Sequence, residues 1–110
     1  MALTIKALKA GVRTTNGTEE YTVPANKSAV VYNIRVVNGS TTNSVTLNFY
    51  AVAPGQAAFR IYKSNHSLAA KGLVVVGDPV TLEAGGKIQI NVNGTSPSVS
   101  YMINGVERDV

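Results

Sequence analysis

From Val30 to Val37 the chain alternates: Val30, Tyr32, Ile34 and Val36 share one parity, and Asn33 and Arg35 take the other. A period of two is the mark of a strand with one buried face. Val45, Leu47, Phe49 and Ala51 repeat the pattern against Thr46, Asn48 and Tyr50. The polar stretch 38–44 between them opens with Asn38-Gly39, a pair that tolerates positive φ, so the two strands are expected as antiparallel neighbours. Ala53-Pro54-Gly55-Gln56 breaks the second strand, because proline cannot donate to a ladder. Extended structure resumes over Phe59–Tyr62. Leu73–Val76 is apolar at both parities, which predicts a strand buried on both sides or turned toward a partner. Lys87–Val92 alternates again, with Ile88, Ile90 and Val92 inward, and residues 93–97 turn the chain into Val99, Tyr101 and Ile103. That predicts a carboxy-terminal hairpin.

No window carries a sustained apolar repeat at helical spacing, so the fold is expected to be all-β, an antiparallel β-sandwich or jelly roll. Leu3–Ala10 reads either as a short helix or as a strand with Leu3, Ile5 and Ala7 on one face; the strand is preferred. Arg13–Glu20 is a polar connector that would let the first segment reach a neighbouring subunit. The expected organisation is an N-terminal arm and connector over 1–20 and a single sandwich domain over 21–110.

At 110 residues the chain can bury roughly two thirds of its unfolded surface without disulfides or metal. It has no cysteine, so thiolate chemistry and disulfide staples are excluded. Its formal charge of +4 comes from Lys and Arg residues scattered singly, a bias toward acidic surfaces rather than a nucleic-acid footprint. The amino-terminal residues lack a basic region followed by a long apolar core, and no stretch approaches the roughly 20 apolar residues that span a bilayer. The expectation is a soluble protein made in the cytoplasm, with no membrane partner.

Candidate chemistry is sparse. His66 is the only histidine and sits in a polar stretch, read as a solvated loop; a serine-type triad or a zinc site needs a constellation that is not visible around it. Asp78, Glu83, Glu107 and Asp109 are not gathered into a calcium loop or a carboxylate pair. Gly85-Gly86 lies between strands instead of opening a helix, so it makes no phosphate-binding turn. Arg35, Arg60 and Lys63 with Tyr32, Tyr50 and Tyr62 would form a platform for single-stranded nucleic acid, but Tyr32 is in phase with the core. No catalytic residue, metal or cofactor is expected, and the protein is read as non-enzymatic, with no nucleic-acid partner.

Two segments, Tyr21–Lys27 and Asp78–Ile88, bracket the strands, and with the phrases Val23–Asn26, Asn38–Asn43, Ala53–Gln56, Leu82–Gly85 and Gly105–Glu107 they resemble small virion structural proteins of tailed bacteriophages. The phrases are mostly turn chemistry. The resemblance implies a β-sandwich component of the virion, foremost a capsid decoration (cement) protein that bridges capsomers on the capsid surface. The alternative is a neck, tail or baseplate component, or a carbohydrate- or receptor-binding module. It also implies a homo-oligomer, a trimer first, with the major capsid protein or other virion proteins as partners. Candidate capsid or subunit contacts are Lys27, Arg35, Arg60, Lys63, Leu73, Val74 and Val75.

Overall fold

A computed structural model describes residues 3–110, and the described chain is all-β. Ten strands follow in order: β1 (Leu3–Arg13), β2 (Gly17–Thr22), β3 (Lys27–Asn38), β4 (Val45–Val52), β5 (Phe59–Arg60), β6 (His66–Leu68), β7 (Leu73–Val76), β8 (Val80–Leu82), β9 (Lys87–Gly94) and β10 (Val99–Asp109). They form two antiparallel five-stranded sheets. Sheet I runs β1-β10-β3-β7, with β8 also on β3; sheet II runs β2-β9-β4-β5, with β6 also on β4. Strands consecutive in the chain hold matching places in the two sheets: β1 with β2, β10 with β9, β3 with β4. This wrapping is that of a jelly roll.

The alternation read from sequence sets the core between the sheets. Val45, Leu47, Phe49 and Ala51 on β4 and Ile88, Ile90 and Val92 on β9 are all at most 1 % exposed. Against them pack Ile34, Val36, Val99 and Ile103 from sheet I. A buried polar pair joins the sheets: the Tyr21 hydroxyl donates to Glu107 Oε2 at 2.5 Å. Burial and then the Glu107 carboxylate push the Tyr21 phenol above its ordinary pKa, so it stays a donor.

The structure departs from the sequence reading in four places. First, β3 and β4 are not paired neighbours, nor do β9 and β10 form a hairpin; each pair lies in different sheets, joined by an arch. Neither Asn38-Gly39 nor Asn93-Gly94 adopts positive φ, which the two-residue hairpin turn would need at both residues. The buried Asn38 amide instead donates to the carbonyls of Asn43 and Leu68, and its own oxygen receives Ser40 N, which bends the chain across the sandwich. Gly39 allows close approach: its N–H donates to Ser98 O at 2.7 Å, and an added Cβ would lie 3.2 Å from that oxygen.

Second, β3 carries a bulge. Asn33 pairs with Asn104 and Val31 with Gly105, so Tyr32 is an extra residue and the inward parity changes from Ala29 and Val31 to Ile34 and Val36. Tyr32, read as core, is therefore 49 % exposed, and Val31 takes the inward place that the uninterrupted alternation gave to Val30. Third, His66 begins β6 rather than sitting in a solvated loop; it is half-buried, with its ring edge-on to Tyr62. Fourth, from residue 3 onward the segment read as arm and connector is built into the sheets. β1 pairs along its length with β10, and β2 pairs with β9, so the expected boundary at Tyr21 falls inside β2.

Candidate interaction surface

In an antiparallel sheet, residues directly opposite one another share a face. Two neighbouring outward rows of sheet I stand out. One reads Leu73, Val37, Ser100, Val12 across β7, β3, β10 and β1; the next reads Val75, Arg35, Met102, Ala10. Leu73 is 49 % exposed, Val75 45 %, Met102 40 % and Val12 63 %. These apolar side chains surround one cation, Arg35, and no carboxylate among the described residues lies within ion-pair distance of it. Exposed apolar side chains gathered on one face in this way make it a candidate contact surface.

Sheet II faces outward differently. Its rows are polar side chains bonded to each other, amides donating to a carboxylate, a hydroxyl and another amide: Gln89 Nε2 to Glu20 Oε2 at 2.8 Å, Asn91 Nδ2 to Thr18 Oγ1 at 3.1 Å, Asn93 Nδ2 to Asn91 Oδ1 at 2.7 Å. Arg60 lies 5.0 Å from the Tyr50 ring centre and donates to Asn48, whose oxygen also receives Asn65 N. The two rows of sheet I around Arg35 are thus mainly apolar, whereas beyond them Asn104 donates to Asn33 on the same face and sheet II is mainly polar.

The sequence candidates divide accordingly. Arg35, Leu73 and Val75 come together on the apolar face. Val74, proposed as a contact, points into the core at 6 % exposure, because alternation along β7 leaves only every second residue outward. Lys27 is held at the start of β3 by Asp109, 2.7 Å away, whose carboxylate raises its pKa. Arg60 belongs to the polar face, and Lys63 is exposed between β5 and β6. The four cations therefore do not share one surface. Val12, Val37 and Met102 were missed, although Val37 and Met102 carried a signal: each is apolar at the parity opposite a buried run. Among the described residues no cluster of His, Cys, Asp or Glu could hold a metal ion, and no helix is long and apolar enough to cross a membrane.

No protein-family model and no curated protein sequence matches the chain. Solved structures do match in fold. A chain of infectious bursal disease virus, Gt strain, superposes with a TM-score of 0.50 at 7 % identity over 96 % of this chain, and one of the Gx strain with 0.50 at 12 %. This chain spans about a third of the length of those viral chains, 32 % of each. The CBM22-1 xylan-binding domain of Paenibacillus barcinonensis Xyn10C matches at 0.49 and 10 % identity, over 99 % of this chain and 81 % of that one. A chain of the capsid structure of Helicobacter pylori bacteriophage KHP30 matches at 0.45 and 10 %, over 99 % of this chain and 100 % of that one. The shared property is the fold, a β architecture that occurs in virus structures.

Proposed function

We propose that the protein is a non-enzymatic structural component of a phage particle that works by contact through the outward face of sheet I. The observation that carries the reading is the apolar pair of rows around Arg35, which offers surface to bury and a cation to meet an acidic partner. The resemblance of the turn phrases to those of tailed-phage virion proteins and a fold similar to that of viral chains support placing that partner in a virion. Capsid decoration is the preferred role: a compact β domain bound over neighbouring capsomers adds contacts that must break before the shell opens, and several weak contacts add up to tight attachment.

The second reading is a neck, tail or baseplate module that contacts glycan or receptor. It is favoured by the amide and hydroxyl rows of sheet II beside Tyr50. Mass spectrometry of purified particles, with copy number relative to the major capsid protein, tests virion membership, and cryo-electron microscopy tests position. Density over capsomer junctions, with heat-sensitive shells when the protein is absent, is expected for decoration. Density confined to the tail or neck, with shells unchanged, moves the reading to the second.

A further inference from the structure

We infer that two copies of this chain pair edge to edge through β7, antiparallel about a two-fold axis, and so join their two copies of sheet I into one continuous sheet. The inference is independent of the virion reading, since it rests on how the sheet edges are built.

A sheet edge is a template for another strand unless charges, proline, a bulge or shortness blunt it. β1, the far edge of sheet I, carries Lys9 and is bulged between Ala7 and Lys9. The edge β2 of sheet II carries Glu19 and Glu20, and β5 and β6 bring Arg60 and His66 in very short strands. β8 is three residues long and follows Pro79. β7 alone, Leu73-Val74-Val75-Val76, has no charge, no proline and no bulge. At four residues it is also longer than β5, β6 and β8, so among the described edges its free side is the least blunted.

The free side is also correctly poised. Asn38 N donates to Gly72 O, which makes that opposed pair a hydrogen-bonded one. Bonded and non-bonded pairs alternate along an antiparallel ladder, so Val74 and Val76 bond to β3 while the N–H and C=O of Leu73 and Val75 point away from it. A second β7 with Val74 opposite its own counterpart sets Leu73 against the other copy's Val75, and Val75 against its Leu73. Both outward-directed backbone pairs are then satisfied twice, and the exposed Leu73 and Val75 side chains become cross-strand neighbours on the outer face.

Charge selects the same arrangement. Lys71 stands before β7 and Asp78 after it. Antiparallel pairing brings the Lys71 end of each strand to the Asp78 end of the other, whereas parallel pairing would set like charges together. An isologous contact of this kind closes at two copies, so it makes a dimer rather than the trimer expected from the sequence.

The test is sedimentation equilibrium of the full chain from about 1 to about 100 µM, a range that brackets the affinity of a narrow contact. A monomer–dimer equilibrium is expected. Val75→Pro removes an N–H that β3 does not use, and Val75→Lys places like charges at the junction. Each should raise the dissociation constant at least about tenfold, while Thr14→Lys, exposed in the turn between β1 and β2, leaves it unchanged. As a measurement without substitution, amide hydrogen exchange at Leu73 and Val75 should slow as protein concentration rises. A monomer throughout that range, a dimer indifferent to both Val75 variants while circular dichroism stays native, or exchange at these amides that ignores concentration overturns the inference.

Discussion

Single residues already set measurable limits on this fold. Gly105 lies beside the bulge of β3, where an added Cβ would sit 2.1 Å from Val30 O and 3.0 Å from Leu8 Cδ1. Backbone cannot yield as a flexible side-chain tip can, so Gly105→Ala is expected to cost at least about 3 kcal/mol, the top of the range for overpacking. Urea denaturation measures it; an unchanged midpoint would mean that the bulge is not there. Glu19 gives a pH prediction. Burial would raise its pKa, but hydrogen bonds from Arg13, Lys9 and Tyr101 outweigh that and hold it below the ordinary 4.5. A carboxylate with a depressed folded pKa adds stability that is present above its unfolded value and is lost as pH falls through the folded one. Glu19→Gln should therefore flatten the decline in stability below about pH 4.5, seen as a smaller drop in melting temperature on acidification.

Whole strands were legible where a single periodicity ran uninterrupted. In β4 and β9 every residue assigned inward is buried, and Leu47→Ala should accordingly cost about 2 to 5 kcal/mol in chemical denaturation. In β3 the period was right on each side of Tyr32 and wrong across it. The bulge depends on Gly105, more than seventy residues later, and local alternation cannot register a steric condition on a partner strand. The arches failed for a related reason. Asn-Gly names a conformation that the pair can adopt, whereas the buried Asn38 amide, bonded to carbonyls at 43 and 68, decides which one it does adopt. The contact surface was half legible. Leu73 and Val75 stood out as an apolar run, but their union with Arg35, Met102 and Val12 is a property of register across four strands and appears in none of them alone.

At the scale of the molecule, the question is whether the first residues are a detachable arm or part of the fold. β1 is an outer strand of sheet I and pairs with β10 from Leu3 opposite Arg108 to Arg13 opposite Val99. Its side chains also tie the two sheets together where the chain passes into β2: Lys9 Nζ donates to Glu20 O at 2.9 Å and pairs with Glu19 at 3.3 Å, and Arg13 pairs with Glu19 at 3.0 Å. Removing residues 2–10 would strip most of a strand from β10 and open the backbone of the sheet's central pair, β10 and β3, to water on one side. Each lost ladder bond costs only about 1 kcal/mol net, but a strand carries several of them along with the packing they align. Total stability in a domain of this size is of order 5–15 kcal/mol, so the truncated chain should lose a large share of it. Its melting temperature should fall well below that of the full chain, in a single transition, and at high protein concentration as at low. A detachable arm predicts the opposite: an unchanged melting temperature for the diluted truncated chain, with only self-association weakened. Calorimetry of both chains at two concentrations separates the outcomes, because loss of a strand from within the fold does not depend on how many neighbours are present.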